Sequence, residues 1–219
     1  NVADDNYLQY LEANGCDYAI EPYGARGEAY YVPQLSSLPP KHHPTRWIGE
    51  RTCDWIKNQG SDQPFFLFSS FIHPHPPFSP PTPWHKLYRA SDMPLPKMAE
   101  NNESLYTYTN YIQNRYKGRD TGRDLRLHQL IKSYYWASIS FVDYQVGKIL
   151  KTLEESGQLD NTLIIFSSDH GEFLGDYNCF GKRSFLDSAA RVPMICRLPS
   201  SFKEGAVCDM PVSLIDIMP

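Results

Sequence analysis

The chain has 219 residues, 41% hydrophobic and 21% charged, with 15 Tyr, 11 Phe and 18 Pro. That length suits one sizeable domain or a large piece of a bigger one, and the aromatic content excludes a disordered chain. The net charge of -4 gives no reason to expect nucleic acid or an anionic membrane as partner, and no apolar run approaches the roughly 18–20 residues of a membrane span.

The polar, acidic start is not a signal peptide, because no basic segment leads into an apolar stretch. The chain begins at Asn1 without Met and stops at Pro219 in mid-pattern, so both ends are expected to be cut ends. Residues 1–44 read as irregular, with one short helix over 5–13 and a Gly-, Pro- and Tyr-rich surface loop over 24–44. Thr45 is expected to cap a helix in which Trp47, Ile48, Cys53, Trp55 and Ile56 recur at helical spacing, ending at Gly60. Residues 64–71, PFFLFSSF, read as a strand buried on both faces. The strand empties into IHPHPPFSPPTP, where prolines remove donors and fix φ, so no regular element can form.

Residues 79–129 read as a long polar loop, rich in Tyr towards its end, of a length that usually serves function. A strong helix is predicted over 125–155, with Leu130, Tyr134, Ala137, Phe141, Val142, Val146, Ile149, Leu150 and Leu153 on its apolar face and Gly157 at its stop. Residues 161–168, NTLIIFSS, read as a second buried strand and 192–197 as a third, with a last helix starting near Ser213. Helices alternating with isolated, fully apolar strands indicate an α/β layered fold with a mainly parallel sheet. The five cysteines, Cys16, Cys53, Cys179, Cys196 and Cys208, show no CxxC spacing and read as ordinary thiols.

In open α/β sheets, ligands bind beyond the carboxyl ends of the strands. The first strand delivers His73 and His75, and the second delivers Asp169, His170, Gly171 and Glu172, though no role is read for Glu172. Asp169 and His170, adjacent at a strand end, can both reach one metal ion, with Gly171 turning the backbone behind them. The alternative is an Asp–Gly turn with a helix-capping Asp. His73 and His75 project to opposite sides of an extended chain, and a proline-framed imidazole can donate to an oxyanion or protonate a leaving group. The plainer reading is a surface Pro-rich loop with incidental histidines. Lys182, in FGKR, is either an oxyanion-holding point charge or a solvated surface lysine.

Together these pieces carry a resemblance. The string FSSDHGEFLGDYNCFGKRSFLDSAARVPMICRLP resembles the second hallmark region of the sulfatase family. PFFLFSSFIHPHPPF resembles its strand followed by Pro-His-x-Pro-Phe, and SYYWASISFVDYQVGKIL and VSLIDIMP resemble the helices between and after. The likeness is dense over 45–78 and 130–219 and thin over 1–44 and 79–129. It implies a three-layer α/β/α sandwich of the alkaline-phosphatase type and hydrolysis of sulfate esters with a divalent metal, Ca²⁺ foremost and Mn²⁺ or Mg²⁺ as alternatives. The resemblance assigns Asp169 and His170 to the metal, and Lys182 and His75 to catalysis and sulfate contact, with His73 as a further substrate-contact candidate. It also implies a sulfated small molecule or carbohydrate as substrate and a periplasmic, secreted or lysosomal setting. Trp84, Trp136 and the Tyr-rich loop are sugar-stacking candidates, and Asn102 heads a glycosylation sequon.

The family nucleophile, a formylglycine made within Cys-x-Pro-Ser/Thr-x-x-Arg or its Ser version, matches no segment here, and no apolar strand precedes Asp4-Asp5. The chain therefore reads as the carboxyl-side part of a catalytic core, inactive alone, with its amino-terminal half as a partner. A phosphonate monoester or phosphodiester hydrolase of the same superfamily, and a non-catalytic metal- or anion-binding domain, are the alternatives.

Overall fold

The computed structural model describes residues 5–27, 30–60, 63–97 and 124–218. The Asn102 sequon, Asp4 and most of the Tyr-rich stretch lie outside the described residues.

Helix α1 (Asn6–Ala13) opens on Asp5, whose carboxylate accepts the Tyr7 and Leu8 amides. Helix α2 (Pro44–Asn58) begins one residue before the expected cap. Pro44 opens it because its φ is pre-set and no amide is wasted there. The cap is His43, whose Nδ1 accepts the Thr45 amide at 3.2 Å, while the Thr45 hydroxyl turns to His73 instead.

Helix α3 (Leu125–Glu155) is the backbone of the described structure, capped by Asp124 and followed by Gly157 in the left-handed region (φ 70°). Its buried stripe differs from the expected apolar face. Leu130 is exposed, whereas His128 and Gln145 are fully buried beside Ile131, Ala137, Phe141, Val142 and Leu153. α3 packs on α2, and the approach is so close that a Cβ on Gly49 would meet Gln145 at 2.8 Å.

The described strands are two, β1 (Ile164–Ser167) and β2 (Met194–Arg197), with a short helix α4 (Asp187–Ala190) between them. They pair antiparallel, Ile164 opposite Arg197 and Ser167 opposite Met194. Three buried strands in a mainly parallel sheet were expected; the described residues show two strands, and the pair they form is antiparallel. Residues 64–71 belong to no described strand, and Phe66 and Phe68 are 75% and 79% exposed. Ile165, Phe166 and Ile195 are exposed as well. The apolar runs encode a demand for burial on two faces, but burial needs covering layers and neighbouring strands that the described residues do not supply.

Beyond Ser213, which with Asp216 forms a capping box, the last helix is a single 3₁₀ turn, Leu214–Ile217. Among the described residues no helix is long and apolar enough to cross a membrane. Among the described residues no disulfide joins the cysteines, and Cys16, Cys53 and Cys179 are buried.

One small core sets the site. Tyr31, Phe78, Ile131 and Phe180 bury together, joining the amino-terminal loop, the proline loop, α3 and the segment before Lys182. Trp84 packs on Phe141 (4.7 Å between rings) and Tyr144, and Trp136 meets Tyr88 edge-on, so both tryptophans serve packing here.

Gly171 works by close approach. Its amide donates to the Ala189 carbonyl at 2.7 Å, and a Cβ would stand 2.2 Å from the Ser188 carbonyl oxygen. A Gly171→Ala substitution is expected to destabilise the fold by about 1–3 kcal/mol through forced backbone shifts. A lowered urea midpoint at constant m checks this, and an unchanged midpoint contradicts the contact.

Candidate active site

The first wall of the site comes from the proline loop. The His75 amide donates to the Ile72 carbonyl at 3.0 Å, folding the chain back after the extended 64–71 segment. His75 is half-buried, and its Nδ1 lies 2.7 Å from the Pro76 carbonyl. That contact assigns the proton to Nδ1 and leaves Nε2 as the exposed lone pair. Burial holds the His75 pKa below the usual imidazole value; the Pro76 hydrogen bond opposes this, and the charges of Lys182, His170 and Arg26 add to it.

The second wall follows β1. Ser168 fixes the turn by donating its hydroxyl to the His170 carbonyl at 2.8 Å. His170 Nδ1 lies 2.7 Å from the Gly171 carbonyl, so Nε2 again carries the lone pair. Asp169 Oδ2 stands 3.4 Å from that Nε2, with the Asp169 side chain 84% exposed. Two donors sharing one cation at right angles, each at about 2.1–2.5 Å, stand roughly 3.0–3.5 Å apart. Asp169 and His170 therefore fit as two adjacent ligands of a divalent ion. Among the described residues no third His, Cys, Asp or Glu joins them.

The third wall is the return of the loop after Gly175. Phe180, fully buried, stacks on Tyr31 at 5.1 Å and meets His128 edge-on at 5.3 Å. Gly181 (φ 87°) then turns the chain as only glycine does without strain, and Lys182 extends over β1's end. Its Nζ reaches His170 Nε2 at 2.6 Å, so an ammonium donates to the same lone pair that a metal ion would take. His75 and His170 rings lie 6.1 Å apart. Tyr30, His75, Glu172, Lys182 and Arg183 line one shallow cleft.

Sequence reasoning passed over Glu172, whose carboxyl is pushed up to about 7 by burial against the pull of the Gly181 and Leu174 amides and the Lys182 charge. The Asp-His-Gly-Glu string named the residue, yet only the folded loop shows that the carboxyl turns inward. Tyr30, edge-on to His75 at 6.2 Å, had no sequence signal beyond a Tyr pair.

His73 is corrected. It is 4% exposed, its Nδ1 3.3 Å from the Thr45 hydroxyl, its Nε2 3.5 Å from the Ser79 hydroxyl and its ring 4.7 Å from that of His43. The turn at 72–75 leaves His75 at the cleft and His73 in the core, away from the cleft lining. Burial pulls the His73 pKa down to about 4 and holds that of His43 well below the usual value. The folded state thus binds fewer protons than the unfolded chain, whose histidines titrate near 6.5. The stability they contribute is fully present above pH 6.5 and is lost as pH falls towards 4, on the order of 3 kcal/mol for His73. Urea midpoints measured across that range should fall with acidification, and His73→Gln should flatten the slope.

Comparison with known proteins now bears on this geometry. The sulfatase family model matches residues 9–219. The chain is 34% identical to an arylsulfatase of Clostridium perfringens over 81% of its own length and 37% of the relative's. It is 30% identical to the multifunctional alkaline phosphatase superfamily protein PehA of Trinickia caryophylli, over 98% of its own length and 45% of the relative's. Among solved structures it resembles a phosphonate monoester hydrolase of Agrobacterium radiobacter, with a TM-score of 0.75 and 28% identity, covering 90% of this chain and 42% of that one. The chain spans less than half the length of these relatives.

Proposed function

The chain belongs to the sulfatase family, and from that premise we propose that it supplies the anion- and metal-holding part of a sulfuric ester hydrolase. The observation that carries this is the convergence of Lys182 Nζ on His170 Nε2, with the His75 ring 6.1 Å from that of His170 and lining one cleft with Lys182.

Lys182 offers a positive point charge to the sulfate oxygens, including the bridging one, where negative charge grows as the ester bond breaks. His75 presents Nε2 to the same group. As a neutral imidazole protonated at Nδ1 it can only accept there, so it must first take up a proton to donate one to the leaving oxygen. Burial, Lys182 and His170 oppose that uptake, and a bound sulfate offsets them with its own charge. His75 is thereby made a proton donor mainly when substrate is in place. Asp169 and His170 would hold a divalent cation, Ca²⁺ first and Mn²⁺ or Mg²⁺ next, which when bound neutralises charge on the sulfate.

No segment of this sequence matches the formylglycine motif. The nucleophile accordingly comes from polypeptide outside it, and this chain by itself turns over no ester. The exposed Phe66, Phe68, Phe166 and Ile195 support this reading, since apolar segments of that composition call for cover. The same reading takes a sulfated small molecule or carbohydrate as substrate and a periplasmic, secreted or lysosomal setting, both on family grounds.

The likeness to a phosphonate monoester hydrolase favours one second reading, in which the same residues serve a phosphonate or phosphate ester. The two tetrahedral anions ask for similar charge, so relative kcat/KM separates them. The full-length protein is assayed on an aryl sulfate and an aryl phosphonate monoester with Ca²⁺ or Mn²⁺. A higher kcat/KM for the sulfate supports the proposal, and a higher value for the phosphonate replaces it with the second reading.

A further inference from the structure

Lys182 can act on a sulfate only if the loop that carries it is held, and the tie nearest to it is a carboxylate. Glu172 Oε1 accepts the Gly181 amide at 2.5 Å and the Leu174 amide at 3.4 Å. Around it, the Phe173 amide donates to the Gly181 carbonyl at 3.0 Å and the Gly175 amide to the Cys179 carbonyl at 2.9 Å. The loop from 172 to 181 is thus closed by backbone bonds and bridged from within by one side chain. Its far end is tied separately. Asp176 accepts the Lys97 amide at 2.9 Å and the Ser188 hydroxyl at 3.0 Å, and lies 3.8 Å from the Lys132 ammonium. Those contacts fix residues 175–178; at the exit, Gly181 with its left-handed φ is held at its carbonyl by the Phe173 amide and at its own amide by Glu172.

We propose that Glu172 is a positioning residue, its carboxylate locking the Gly181 turn so that Lys182 is delivered onto His170 and the sulfate position. This rests on the reading that Lys182 holds sulfate. Oε1 is committed to two backbone donors, of which Gly181 is the residue before Lys182, so Glu172 acts through that lysine rather than on substrate.

The test is a double-mutant cycle in the full-length enzyme with crystal structures of the variants. Glu172→Ala should lower kcat/KM about tenfold to a hundredfold, the loss expected of a roughly 1 Å misplacement. Glu172→Gln should stay within about threefold of the parent, because its amide oxygen still accepts both N–H groups. In a Lys182→Ala background, Glu172→Ala should cost nothing further, since the group it positions is gone. An undiminished loss in that background, or a Gln variant as poor as the Ala variant, overturns the proposal. If Glu172→Ala does not fold, Glu172→Asp, one methylene shorter, replaces it with a smaller loss and the same erasure. If Lys182→Ala has no effect on turnover, the sulfate-holding reading fails on its own. The crystal structures then decide the positioning claim. The Lys182–His170 contact should be kept in the Gln variant and broken in the Ala variant, and its persistence in the Ala variant overturns the claim.

Discussion

Replacing Lys182 by alanine in the full-length enzyme is expected to lower kcat for an aryl sulfate by about 10²- to 10³-fold, the range for deleting one donor aimed at developing charge. The argument is local. Lys182 contacts His170 rather than a carboxylate, so its charge is not already neutralised by an acidic partner at that contact. It stands in a cleft walled by Tyr30, His75 and Glu172, where water screens it less than on an open surface. Lys182→Arg should recover little, because a planar fork does not replace a compact ammonium beside an imidazole. Steady-state kinetics on the alanine and arginine variants check this. A kcat within threefold of the parent would return Lys182 to the rank of a surface lysine.

The second large effect concerns the metal. Asp169→Ala and His170→Ala should each weaken divalent-cation binding by more than about a hundredfold, exceeding the 10–100-fold seen when only a supporting residue around a ligand is lost. Titration calorimetry with Ca²⁺ and with Mn²⁺ on chelator-stripped protein reads this without any turnover. His170→Ala carries an extra consequence, because it also removes the acceptor of the Lys182 ammonium at 2.6 Å. Its activity should therefore fall further than its cation affinity explains. Unchanged binding in both variants would mean that the Asp169–His170 pair is an ordinary turn.

These two effects concern the residues that were easiest to read in the sequence. Asp169 and His170 follow the apolar run 161–168 and His75 follows the run 64–71, while Lys182 was singled out by its Gly-containing loop. Helix α3 was legible because a long period-3.6 pattern runs to a stop at Gly157; the Asp124 cap is seen only in the structure. The cap of α2 was not, because a histidine accepting an amide through Nδ1 is a weak propensity signal beside a threonine two residues on. His73, named as a substrate-contact candidate, lies buried in the core, 4% exposed. The turn at 72–75 leaves only His75 of the pair at the cleft.

The strands failed for a different reason. PFFLFSSF and NTLIIFSS record that these segments want cover on two faces, but not which chain provides it. A run of letters does not name its pairing partner, so strand order could not be read; the pair formed among the described residues is antiparallel. Glu172 was hidden because a carboxyl turned inward and a carboxyl facing solvent look alike in a string of letters. Only the Gly181 turn distinguishes them.

The account's central claim is that Lys182 and His75 hold the sulfate between them, and a crystal structure of the full-length protein with inorganic sulfate tests it most directly. The expected result is a sulfate whose oxygens lie within about 3 Å of Lys182 Nζ and of His75 Nε2, with the ammonium drawn off His170 towards the anion. A sulfate bound elsewhere, with Lys182 still resting on His170 and His75 facing solvent alone, would contradict it.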